Sequence, residues 1–75
     1  MNRIRTYREQ AGLSQEQLGL ACGWGSRAQG RVSNYETEKR TPSLGDLRLI
    51  VAALNNSDVS CSIDDVYPPQ TKSVA

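Results

Sequence analysis

Gln29, Arg31, Ser33 and Asn34 are the residues of this chain whose types and spacing point most directly to chemistry. Amide and guanidinium groups form paired hydrogen bonds, and such pairs fit the edges of adenine and guanine in a DNA major groove. All four fall away from Val32 and Tyr35, which are spaced to form the buried side of the same helix. A solvated polar face would explain any one of them alone. Groups suited to phosphate lie close by in sequence: Arg27, Lys39 and Arg40, with the backbone around Thr41 and Ser43. Gln15 adds a side-chain amide at the first turn of a preceding helix, beside N–H groups that favour an anion. Catalysis lacks its parts. The chain has no histidine, Asp64 and Asp65 are adjacent and do not converge, and Cys22 and Cys61 lack the spacing of a zinc or redox pair. The expectation is a non-enzyme with free, reduced thiols, no metal, no cofactor and no small-molecule substrate.

Holding such side chains in register requires short helices at fixed angles, and their ends are written into the sequence. The run LSQEQLGLACGWGSRAQGRVSNYE, Leu13 to Glu36, contains two S-x-x-Q patterns, Ser14 with Gln17 and Ser26 with Gln29. Each predicts a capping box, in which the hydroxyl accepts a first-turn N–H and the glutamine reaches back. Between them, Gly23-Trp24-Gly25 can take backbone angles closed to other residues, with Trp24 expected as an apolar plug more than a base-stacking residue. Two capped helices joined by a glycine-containing turn are the pattern of a helix-turn-helix.

The remaining elements follow from periodicity and breakers. A first helix is expected from about Asn2 to Gln10, with Ile4, Tyr7, Arg8 and Ala11 on one face and Gly12 as its left-handed stop. The second helix, from Gln15 to about Cys22, turns Leu18, Ala21 and Cys22 inward. The third begins between Ser26 and Gly30 and ends near Thr37, and Gly30 either admits close approach to a duplex or marks the start. Thr41-Pro42-Ser43 breaks the chain. Ser43 then caps a fourth helix beside Asp46, with Leu44, Leu47, Ile50, Val51 and Leu54 as its apolar stripe. After a loop at 55–58, Val59-Ser60-Cys61 alternates like a short extended segment, and Ser62 caps a last turn reaching Tyr67. The domain is expected over 1–67, and 68–75 as a disordered polar tail.

From seventy-five residues, one small module without an attached effector domain is expected. No apolar run is long enough to span a bilayer, and the start does not resemble a signal peptide, so a cytoplasmic protein without a membrane partner is expected. The net charge of +1 is a weak argument for nucleic acid. Its distribution says more: Arg3, Arg5, Arg8, Arg27, Arg31, Lys39 and Arg40 precede Ser43, whereas Asp46, Asp58, Asp64 and Asp65 follow it against only Arg48 and Lys72.

With SQEQL in the second helix, RVSNYE in the third, KRTPSL after it and LRLIVAAL in the fourth, the chain resembles the phage Cro and lysogeny-repressor (XRE-like) helix-turn-helix DNA-binding family from about Ile4 to Tyr67. The resemblance implies an all-α, compact four- to five-helix, lambda-repressor-like domain. It would bind double-stranded DNA at a pseudo-palindromic operator as a homodimer and regulate transcription. The segment from Gly23 to Val32 is longer than the family's usual pattern, so an extended helix-turn-helix turn is expected. By the same resemblance Gln15 anchors a phosphate, and Arg8 and Glu36 form a partly buried, structural ion pair. The main alternative is an antitoxin-like or coactivator-like helix-turn-helix module whose partner is another protein, and a subunit of an enzyme is a remoter one. For the dimer, Leu54, Val59, Cys61, Ile63 and Val66 are the apolar candidates, with Ile63 and Val66 expected more in the core and Val59-Ser60-Cys61 more as a pairing edge.

Overall fold

The computed structural model describes residues 2–68, so the tail expected at 68–75 lies, apart from Pro68, outside the described residues. It is all-helical, with α1 (Ile4–Gln10), α2 (Gln15–Ala21), α3 (Ala28–Glu36), α4 (Leu44–Asn56) and α5 (Ile63–Val66), and no strand among the described residues. A 3-10 turn, Gly25–Arg27, precedes α3 and fills the extended connection between α2 and α3. Ile4, Leu18, Val32, Ile50, Leu54 and Val66 are fully buried, so every helix contributes to one core.

Serines open three of the five helices, α2, α4 and α5, and residues with positive φ follow the first four. Ser14 and Ser62 sit in extended backbone and form complete capping boxes with Gln17 and Asp65, while Ser43 Oγ accepts from Asp46 N at 3.1 Å. The second S-x-x-Q pattern is different. Ser26 lies inside the 3-10 turn, α3 has no side-chain cap, and Gln29 donates to Gln15 instead of reaching back. Asn2 is not helical either: its Oδ1 accepts from Ile4 N at 3.1 Å and its Nδ2 donates to Tyr35 O at 2.8 Å, pinning the chain start to the end of α3.

At the other ends, α1, α2 and α4 share one device. Gly12, Gly23 and Asp58 have φ of +72°, +84° and +66°, and in each case the following residue donates back to the helix: Leu13 N to Arg8 O, Trp24 N to Gly19 O, and Val59 N to Leu54 O. This six-to-one closure brings an apolar residue back against the helix it ends. It buries Val59, which is 9% exposed and belongs to the core, so the expectation of a free extended edge at Val59-Ser60-Cys61 is not met. Ile63 is only half-buried, the reverse of its expected ranking against Val59. Glu38, after α3, takes φ +62° without a glycine's freedom, and its carboxylate accepts from Asn2 N at 2.8 Å.

The tightest contact lies between α2 and α3. A Cβ at Gly19 would meet Ala28 Cα, Cβ and O at 2.5 Å, so the two helices touch through a glycine. This contact turns the buried arc of α2 toward Gly19 and leaves Ala21 exposed, against expectation. On α4 the stripe holds at Leu47, Ile50 and Leu54, with Ala53 added, but Leu44 is 56% exposed. Cys22 is buried, and burial, reinforced by the charge of Asp46, pushes its thiol up to about 11. Both cysteines are free.

Candidate nucleic-acid interface

Helix α3 turns Ala28, Val32 and Tyr35 into the core, so its opposite side carries Gln29, Gly30, Ser33 and Asn34. Gln29 and Gly30 are exposed, whereas Ser33 and Asn34 are half-buried. A Cβ built on Gly30 would meet no heavy atom within 4 Å. Gly30 lies within the first turn of α3 and not at its start, and no positive φ or internal contact requires a glycine there.

One flank of this face is an amide network. Arg8 donates to Glu36 through Nε at 2.6 Å and Nη2 at 3.3 Å, and through Nη1 to Leu13 O at 2.8 Å. The pair is well sequestered, its side chains being 11% and 5% exposed. Gln15 Nε2 donates to the same carboxylate at 3.0 Å, and Gln29 Nε2 donates to Gln15 Oε1 at 2.9 Å. An unbroken line of hydrogen bonds thus runs from the scaffold pair to the exposed face of α3. Each amide carries two donors and one acceptor, so Gln15 keeps one N–H, and Gln29 keeps one N–H and its carbonyl oxygen.

The other flank is cationic. Ser26, Arg27, Gly30, Arg31, Asn34 and Arg40 line an open groove of about 330 Å³, which brings together residues expected to read bases and residues expected to hold phosphates. The backbone bond from Arg40 N to Asn34 O, 3.2 Å, holds the loop after α3 beside this groove. Arg31 lies with its guanidinium carbon 4.9 Å from the centre of the Trp24 ring, and its Nη1 is 3.8 Å from Asp46 Oδ2. Trp24 in turn meets Tyr35 edge-on at 5.8 Å, and the Tyr35 hydroxyl donates to Asp46. Burial, then that bond and the charge of Asp46, raise the Tyr35 pKa against the opposing pull of Arg31 and Arg40, so the phenol remains a neutral donor.

Lys39 and Thr41 are exposed on the loop that follows, and Ser43, also exposed, has its oxygen committed to the α4 cap while its hydroxyl proton stays available. Sequence reasoning missed Gly19 and the joint role of Asp46. The first has a signal, a residue without a side chain between Leu18 and Leu20 in an amphipathic helix. The second has none, because the Tyr35–Asp46–Arg31 contact joins helices whose approach no local pattern encodes.

A family model described as helix-turn-helix matches residues 4–59, spanning the first four helices and the start of the segment leading to α5. No curated protein and no solved structure matches the chain.

Proposed function

Since this chain belongs to the helix-turn-helix family, a family of DNA-binding regulators, we propose that it acts as a Cro- or repressor-like protein that recognises a pseudo-palindromic operator with α3 in the major groove. The observation that carries the reading is the outward side of α3, where open space at Gly30 lies between the Gln15–Gln29 amides and the arginine groove. Gln29, Arg31, Ser33 and Asn34 read base edges, with the free N–H and carbonyl of Gln29 suited to adenine. The remaining N–H of Gln15, with Arg27, Lys39, Arg40, Thr41 and Ser43, holds phosphates and fixes the register.

A single short helix touches too few bases to select one site among the many in a genome, so two copies reading matching half-sites are part of the proposal. With Leu54, Val59 and Val66 in the core, Cys61 and Ile63 are the members of the expected contact set that keep partial exposure. No described helix is long and apolar enough to cross a membrane.

Selection of sites from random duplex DNA tests this directly. The expected outcome is a defined pseudo-palindrome bound far more tightly than random sequence. Weak, sequence-independent and strongly salt-dependent binding would overturn it and favour a protein partner instead.

A further inference from the structure

Arg31 is held from two sides by residues that leave its hydrogen-bonding edge free. The guanidinium carbon lies over the Trp24 ring, 4.9 Å from its centroid, a contact that places the cation without a hydrogen-bonding side chain. Asp46 stands 3.8 Å from Nη1, near enough to orient the cation but beyond ordinary hydrogen-bond length, and that carboxylate oxygen already accepts from Tyr35. Among the described residues none accepts a hydrogen bond from the Arg31 side chain, and Arg31 lines the groove together with Gly30 and the open space over it.

The same carboxylate discriminates between ligands. A phosphate brought to Arg31 would carry its negative charge toward Asp46, whereas the edge of a guanine presents two acceptors, O6 and N7, without a net charge. Arg27 and Arg40 line the same groove and, among the described residues, have no carboxylate partner, so they are the natural phosphate ligands there.

We propose that Trp24 and Asp46 are positioning residues that hold Arg31 as the reader of a guanine edge. One base preference of each half-site is then set partly by the turn between α2 and α3, outside the helix that enters the groove. The inference rests on the operator-binding reading above and adds to it a specific base and the residues that select it.

Competition binding on single-base variants of the selected site, for the wild type, R31A, R31K, W24F, W24L and D46N, tests it. R31A and R31K should lose about tenfold in preference at one G·C pair, since neither keeps the bidentate fork, with little change at other positions. W24F, which retains an aromatic face, should keep that preference, and W24L should lose it at the same base pair. D46N preserves a partner for Tyr35 and the α4 cap. It should raise affinity for random DNA while weakening the guanine preference, an effect that loss of packing alone would not produce. A uniform loss across all sequences in R31A, with the salt slope shallower by about 1, would make Arg31 a phosphate ligand and overturn the proposal. A full guanine preference in folded W24L would remove Trp24 from it. If circular dichroism shows W24L unfolded, R31K and D46N decide the matter, and guanine preference intact in both overturns it. A wild type that selects no site defeats the operator reading itself. A selected site with no guanine that depends on Arg31 defeats this inference alone.

Discussion

Gly30 separates a requirement of folding from a requirement of binding. Its helix would be firmer with alanine, by up to about 1 kcal/mol, and nothing in the protein occupies the space a methyl group would take. Gly30→Ala should therefore raise the melting temperature while weakening operator binding. Unchanged affinity would show that no duplex approaches this point. Glu36 couples the two requirements instead, because it accepts from both Arg8 and Gln15 within a well-buried network. Glu36→Ala leaves Arg8 an unpaired buried charge and should lower stability by about 3 kcal/mol in denaturant titration; a midpoint equal to wild type would refute a structural role for the pair.

At the scale of elements, the angle between α2 and α3 depends on Gly19. Its replacement by alanine drives a methyl group into Ala28, partly against backbone atoms that cannot rotate away. Gly19→Ala should cost about 2 kcal/mol despite alanine's better helix propensity, lowering the thermal midpoint and loosening DNA binding with it. A midpoint at or above wild type would show that the helices part without penalty. Helix ends were the most legible part of this fold, because a cap is a local event: Ser14, Ser43, Ser62 and Gly12 announce themselves within a few residues. Ser26 shows the limit. The same four-residue pattern follows Gly25 at φ +58°, enters a tight 3-10 turn and makes no cap, since the pattern specifies donors and acceptors but not the backbone angles that aim them. Leu44 and Ala21 fail for another reason. Periodicity gives a residue's angle around its helix, but not how far a neighbouring helix extends to cover it.

For the whole molecule, a net charge of +1 supplies little general attraction to DNA. What matters is that Arg27, Arg31 and Arg40 converge on one groove. Sequence alone marks all three as DNA contacts without placing them together, because the 3-10 turn, α3 and the following loop meet only in the folded chain. If two such domains bind as a rigid pair, inserting five base pairs between half-sites rotates one by about half a turn and should abolish cooperative binding. Affinity that survives the insertion would argue for independent monomers.

The amide line from Arg8 through Glu36 and Gln15 to Gln29 also bears on how such a protein could change its target over evolutionary time. A new side chain at Gln29 must satisfy Gln15, and through it the pair that steadies the fold, so mutations on that flank face two tests at once. Among the described residues, Asn34 has no such obligation through its side chain, and Arg31 leans on Trp24 and Asp46. If α3 reads an operator as proposed, descendants of this chain would diverge in operator choice first along the arginine flank, with the glutamine flank inherited as part of the frame.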